Sequence, residues 1–294
     1  LRCKVLAHHF LDLQDTLLAM ATGTTTSLTR PPVADFGLTD YPATPGVQPD
    51  SATRSAELDT FSDFAHRLLP EANRALAAAD PTTAIDWSIQ LAAALAGLEQ
   101  PLADSELDGR ALPIVMSTSM GVNAAVMLHA VTAQLPGIPV VWVDTGFNVA
   151  EAYRVADQLE RDLKLNLKVY SPRMTSERIR SLAGGIPLPE EADEHRRFTQ
   201  LVKLEPFDRA IKELCPRVWL TGIRREETAH RRTLDKVTFD ARGLIKVAPF
   251  FDATEQDLED YRRRYSLPST LRYFDPTKVH EGRECGLHTQ STAA

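Results

Sequence analysis

From Leu58 onward, apolar residues recur at three- and four-residue spacing, and Phe61, Phe64, Ala65, Leu68 and Leu69 would share one helix face. A second helical pattern runs from about Thr82 to Leu98, with Ile85, Ile89, Leu91, Ala92 and Leu95 as its apolar side and Asp80-Pro81 as its start signal. The period then changes. Pro113–Met116, Ile138–Val143, Leu167–Tyr170 and Val218–Leu220 are short apolar runs that predict buried strands. Helical patterns over Val122–Leu135, Val149–Leu163 and Phe198–Leu214 separate them. This alternation predicts an α/β fold with a doubly wound, mostly parallel sheet. Leu244–Val247 is predicted to add an edge strand. Residues 21–55 are rich in Thr, Pro, Ala and Asp without an apolar period, and no clear period returns after Leu267. Three segments are therefore expected: a disordered or processed N-terminal stretch (1–55), an α/β nucleotide-binding domain with its N-terminal helices (56–266), and a mobile C-terminal tail (267–294).

Charge and cysteine usage narrow the partners. The formal net charge of −7 argues against a nucleic-acid backbone, while a local Arg cluster can still hold a small anion. Cys3, Cys215 and Cys285 are far apart, and no Cys-x-x-Cys pair is present to frame zinc or an iron–sulfur cluster. This usage fits a reducing, cytoplasmic compartment. No apolar run approaches the roughly 20 residues of a membrane-spanning helix. Leu1–Met20 lacks a signal-peptide layout, and Met20 is a candidate for the native start. Cys215, at a helix end before Pro216, is expected to be a packing residue.

Ligands of open α/β sheets bind beyond the carboxyl ends of the strands, and candidate chemistry clusters there. The first strand runs into Ser117-Thr118-Ser119-Met120-Gly121 and opens a helix, which makes an anion cradle or an ordinary helix cap. The second ends in Asp144-Thr145-Gly146, able to hold a ribose or a base amine, or simply to turn. After Val218–Leu220, four Arg crowd nine positions: Arg224, Arg225, Arg231 and Arg232. Planar guanidinium forks suit phosphate or sulfate, the plain alternative being a solvated charged face. Lys203, at the start of the preceding helix, adds a cation. Near the end, Cys285 lies in Arg283-Glu284-Cys285-Gly286-Leu287-His288. There Arg283 and a charged His288 would favour a thiolate, and Glu284 would oppose it.

Together these pieces resemble the phosphoadenylyl-sulfate (PAPS) reductase family, over roughly Ala84 to His288. The specific elements are Ser117–Gly121, Val143–Gly146, Lys203-Leu204-Glu205-Pro206, Gly222-Ile223-Arg224-Arg225-Glu226 and Glu284–His288, in family order. The resemblance implies a fold of the adenine-nucleotide α-hydrolase type. The first loop lacks the Ser-Gly-Gly-x-Asp-Ser of relatives that cleave ATP. It further implies that Ser117, Thr118, Ser119 and Gly121 serve the phosphosulfate end. Asp144, Thr145 and Gly146 would serve the nucleotide, and Lys203, Arg224, Arg225, Arg231 and His288 the substrate's anionic groups. Cys285 would attack sulfur, giving an S-sulfocysteine and adenosine 3′,5′-bisphosphate, and thioredoxin or glutaredoxin would release sulfite. A homodimer and a tail that closes over the substrate are expected on the same basis. The sister adenylyl-sulfate (APS) reductases carry two cysteine pairs for an iron–sulfur cluster, which would fall just before Lys203, at Phe198–Val202, and from near Leu220 onward, and neither place has such a pair. No bound cofactor is expected. Leu271–Lys278 departs from the family's pattern ahead of the tail cysteine, and Ala150-Glu151-Ala152 stands where Pro-Glu-Thr is usual. The alternatives are a cluster-free APS reductase and a nucleotide-binding homologue without turnover.

Overall fold

The computed structural model describes residues 51–97, 109, 112–269, 275–279, 284 and 287. Two helices lead. Helix α1 (Ser51–Ala75) buries Phe61, Phe64, Ala65, Leu68 and Ala72 at the spacing read from the sequence. It begins inside the 1–55 segment expected to be disordered or processed. Helix α2 (Pro81–Leu95) starts as its sequence dictates, with the Asp80 side chain accepting from the Thr83 N–H at 2.8 Å and Pro81 where no N–H is needed. The sheet follows: β1 (Ile114–Thr118), α3 (Ala124–Gln134), β2 (Pro139–Val143), α4 (Ala150–Leu163), β3 (Asn166–Tyr170), α5 (Ser176–Ala183), α6 (Ala192–Thr199), a π-helical turn (Gln200–Leu204), α7 (Glu205–Leu214), β4 (Val218–Leu220), β5 (Val237–Asp240), β6 (Leu244–Val247) and α8 (Glu255–Arg264). Among the described residues the strands form one six-stranded sheet in the order β3-β2-β1-β4-β6-β5, parallel throughout except for the β5–β6 pair.

The period-2 pleat splits the apolar runs between two cores. Ile114, Met116, Val140, Trp142, Val218, Leu220, Ile245 and Val247 face a large cluster that also contains buried residues of α1, α2 and α3. Val115, Val141 and Trp219 face the other side, where Phe207 and Ala210 of α7 cover them. Burying each large side chain contributes roughly 1.5–3 kcal/mol, so both faces resist opening. The strand ends between these layers are therefore rigid supports.

Three expectations need correction. Leu244–Val247 is an interior strand between β4 and β5, and the edge is Val237–Asp240. That short run carries a Thr and an Asp, and its backbone is held in part by Asn73. The Asn73 side chain accepts from the Val237 N–H at 2.8 Å and donates to the Val237 carbonyl at 2.7 Å. The helix expected over Phe198–Leu214 begins at Ala192 and carries the π-helical turn that brings in Lys203. Cys215 is exposed, capping α7 with a left-handed φ of 46°, so it does not pack. Among the described residues no helix is long and apolar enough to cross a membrane.

Candidate active site

A cleft of about 460 Å³ opens at the carboxyl ends of β1, β2 and β4. The floor comes from the strands. Ser117, at the end of β1, accepts a hydrogen bond from the Trp219 indole at 2.8 Å, so the buried Trp of β4 fixes its hydroxyl. Thr118 Oγ1 accepts from the Met120 N–H at 3.1 Å. Met120 is fully buried with φ 52°, a left-handed conformation costing a non-glycine residue roughly 1–2 kcal/mol. The bend turns the chain from β1 toward α3, and Ser119 and Gly121 also line the cleft. Thr145 and Asn148 line it from β2, and Thr221, Gly222 and Ile223 from β4.

Asp144 and Gly146 do not line the cleft; they shape the loop that does. Asp144 Oδ1 accepts from the Gly146 N–H (3.0 Å), the Asn148 amide (3.1 Å) and the Tyr153 hydroxyl (2.7 Å). Burial, then the bond and charge of Asp144, push the Tyr153 phenol up to about 12, so it stays a donor. Gly146 has φ +75°, where a side chain is strained, and a Cβ there would also crowd the Ser176 Cβ at 3.1 Å.

The charged residues form the rim, where Lys203, Arg224 and Arg231 meet carboxylates. Lys203 Nζ bonds Asp275 at 2.5 Å, with side-chain exposures of 7% and 14%. Burial pushes the Asp275 carboxyl up, but the Lys203 ammonium and bonds from Thr277 outweigh it and hold the group below the usual carboxylate range. Arg224, buried, bonds Glu226, Glu255 at 2.7 Å and the Ala253 carbonyl at 3.4 Å. Arg231, also buried, bonds Glu227 and Glu284. Arg225 does not reach the cleft. It is exposed, pairs with Asp252 at 2.8 Å and lies 4.5 Å over the Phe251 ring.

Of the sequence-predicted residues, the structure brings together Ser117, Thr118, Ser119, Gly121, Thr145, Lys203, Arg224 and Arg231 around one cleft. It leaves Asp144, Gly146 and Arg225 behind or beside it. Cys285 and His288 lie outside the described residues. Their neighbours Glu284 and Leu287 are at the site, Glu284 on Arg231 and Leu287 in the cleft lining. Sequence reasoning missed Asn148, Glu227, Asp275 and Lys278. Only Asp275-Pro276 carried a signal, an Asp before Pro at a turn, and its side chain does accept from the Thr277 N–H at 3.1 Å.

Comparison with known proteins places the chain in a family. Residues 113–274 match the family model for the phosphoadenosine phosphosulfate reductase domain. A protein of Synechocystis named phosphoadenosine 5′-phosphosulfate reductase is 44% identical over 156 residues, 53% of this chain and 62% of that protein. One of the same name from Synechococcus is 39% identical over 155 residues, covering 53% and 66%. The chain thus spans less than two thirds of these two relatives. A third of that name, from Photobacterium profundum, is 32% identical over 244 residues, covering 74% of this chain and 96% of that protein. The fold matches a crystal structure of the phosphoadenylyl-sulfate reductase of Candida auris in a phosphate complex, with a TM-score of 0.53 and 20% identity over 69% of this chain and 88% of that one. With more than half its length matched to the family model and the Photobacterium relative covered almost end to end, the chain belongs to the phosphoadenosine phosphosulfate reductase family.

Proposed function

We propose that the protein reduces 3′-phosphoadenylyl sulfate to sulfite and adenosine 3′,5′-bisphosphate in sulfate assimilation, with Cys285 as nucleophile and thioredoxin or glutaredoxin as reductant. The observation that carries this is the placement of the tail. Glu284 and Leu287, on either side of the Cys285-Gly286 pair, both stand at a cleft whose floor is hydroxyls and a strand-to-helix bend. Family membership and the names of the relatives support the substrate class.

The chemistry follows from the charges. Sulfur in a sulfo group is shielded by negative oxygens, so an approaching thiolate needs them held by donors. The loop from Ser117 to Gly121 and Lys203 supply donors from the floor and one side. Lys203 spends one contact on Asp275, and an ammonium has three donors, so the same group can serve an anion as well. The Cys285 thiolate attacks sulfur and a C–S–SO₃⁻ linkage forms. The S–O bond to the phosphate breaks, and adenosine 3′,5′-bisphosphate leaves with that oxygen. A reductant thiolate then attacks the Cys285 sulfur. Sulfite departs with the S–S electron pair, and the reductant's second thiol resolves the mixed disulfide, restoring the Cys285 thiol and oxidising the dithiol by two electrons.

The test is sulfite release from 3′-phosphoadenylyl sulfate and adenylyl sulfate side by side, with thioredoxin and its reductase. Turnover of the 3′-phosphorylated substrate at the higher kcat/KM is expected. Equal or better turnover of adenylyl sulfate makes the protein a cluster-free APS reductase. Binding of both without sulfite makes it a nucleotide-binding homologue.

A further inference from the structure

We infer that Arg231 and Thr228 form a clamp on Glu284 that docks the C-terminal tail for sulfo transfer, so that Arg231 and Glu284 are positioning residues and not holders of substrate anions. This deepens the proposed reaction and rests on it.

The geometry of Arg231 is the reason. Its Nε donates to both oxygens of Glu284 at 3.1 and 3.2 Å, and its Nη2 donates to Oε2 at 3.1 Å. Its Nη1 donates to Glu227. All three guanidinium nitrogens are thus engaged by carboxylates. The Thr228 hydroxyl donates to Glu284 Oε1 and accepts the Arg231 N–H at 3.1 Å, so it locks both partners. The Arg231 and Glu284 side chains are only 8% and 12% exposed, which makes this a built contact and not a solvated surface pair. A guanidinium already facing two carboxylates offers an incoming phosphate or sulfate little net positive charge. Lys203 differs, with one carboxylate against three donors.

A second anchor lies three residues on. Leu287 packs against the cluster of Val115, Val141, Phe207 and Trp219. A charged clamp at Glu284 and an apolar anchor at Leu287 fix the chain on both sides of the intervening Cys285-Gly286 pair. Tethering a nucleophile at two points is how a chain converts a loose encounter into a near-attack geometry. The nucleophile's immediate neighbour thereby does its work through a residue 53 positions away.

The experiment uses the full chain with Arg231→Gln, Glu284→Gln and the exchanged pair Arg231→Glu with Glu284→Arg. Three readouts are taken: calorimetric affinity for adenosine 3′,5′-bisphosphate, the single-turnover rate of sulfo-group addition to Cys285 by mass spectrometry without reductant, and hydrogen exchange of the tail peptide without ligand. Each single variant should bind the bisphosphate within about threefold of the parent, because the floor is untouched, and should transfer the sulfo group about a hundredfold more slowly. Tail exchange should rise in both single variants, and the exchanged pair should recover part of the rate. If Arg231→Gln weakens bisphosphate binding tenfold or more while Glu284→Gln tightens it, Arg231 holds substrate and the clamp is overturned. Unchanged tail exchange in both single variants overturns it too. If the parent forms no adduct, the proposed reaction fails, and the exchange readout still decides whether the clamp docks the tail.

Discussion

On the cleft floor, Ser117, Thr118 and Thr221 hang from the ends of parallel strands whose other residues are buried in two apolar layers. On the rim, Lys203, Arg224 and Arg231 stand against Asp275, Glu226, Glu227, Glu255 and Glu284, and two of these five carboxylates come from the tail. The floor is positioned by burial and carries no formal charge. The rim is positioned by ion pairs, and part of its geometry depends on a segment that, in the proposed reaction, admits a substrate and later a reductant. The difference separates two jobs. A preorganised floor can fix a ligand's orientation without rearranging, whereas paired charges can exchange partners as the reaction proceeds. Floor variants should therefore lower stability and binding together, and rim variants should alter the reaction while the fold persists.

The largest effect is expected at Cys285. Cys285→Ser should reduce sulfite formation to background and leave adenosine 3′,5′-bisphosphate binding at the parent level, since floor and rim remain intact. Cys215→Ser should change neither quantity, because that thiol is exposed at the end of α7. Sulfite assays, calorimetry and a search for a sulfo group on each cysteine peptide check this. An adduct on Cys215 would move the nucleophile.

The floor is tested at Trp219, fully buried, which packs on Phe207 with ring centroids 4.8 Å apart and fixes Ser117. Trp219→Ala should destabilise the fold by about 3–5 kcal/mol, read from chemical denaturation. Trp219→Phe keeps most of the packing and removes only the indole donor. Its expected cost is about 1 kcal/mol, with a matching loss of nucleotide affinity. If affinity falls without any change in stability, the floor is less rigidly coupled to the core than its burial implies.

On the rim, Lys203→Met removes the cation from a buried pair. Losing a charge-assisted contact of roughly 1.5–3 kcal/mol corresponds to about 10- to 100-fold weaker binding of an anionic nucleotide. The same change leaves Asp275 with its Thr277 bonds but without its cation, so tail exchange should rise as well. Acid gives a gentler version. Because Asp275 is held below the ordinary carboxylate range, its contribution is fully present above its unfolded value of about 3.9 and is lost as pH falls through the lower folded value. Tail exchange, corrected for intrinsic rates, should therefore be flat from pH 7 to pH 5. A rise near pH 6 would mean that another group holds the tail.

How much of this was legible follows the same division. The strands with continuous apolar runs, such as Val140-Val141-Trp142, declare themselves because burial on both faces demands it. Val237–Asp240 does not, because an edge strand held in part by Asn73 needs no apolar run. The loop from Ser117 to Gly121 was readable as a strand-to-helix bend, and Ser117, Thr118, Ser119 and Gly121 line the cleft while Met120 is buried behind it. Which cation faces which carboxylate was not readable: Lys203 meets Asp275 across 72 positions, and Arg231 meets Glu284 across 53. Composition reports that charges exist, and only the fold decides their partners. Arg225 shows the limit, since it is indistinguishable from Arg224 in sequence and turns the other way.

That neighbouring pair provides the smallest and most discriminating prediction. Arg224 is buried and lines the cleft, and Glu255, one of its partners, also accepts from Asn123 at the start of α3. Arg224→Ala should thus cost stability toward the upper part of the usual 0.5–3 kcal/mol range and loosen the cleft rim. Arg225 has no such connections. Its guanidinium pairs with the half-exposed Asp252, whose carboxyl burial pushes up while bonds and charge from Arg225 and Lys236 hold it low. Exposed ion pairs contribute about 0–1 kcal/mol, and an exposed guanidinium over a ring, here that of the buried Phe251, about 0.5–1 kcal/mol. Lys236, at 3.2 Å, keeps Asp252 partnered when Arg225 is removed. Arg225→Ala should therefore lower stability by about 0.5–2 kcal/mol and leave bisphosphate affinity essentially at the parent value. Thermal unfolding and calorimetry on the two alanine variants in parallel check it. Equal losses of affinity in both would mean that Arg225 swings into the cleft when an anion arrives, and the line between floor, rim and outer surface would have to be redrawn around a mobile Arg225.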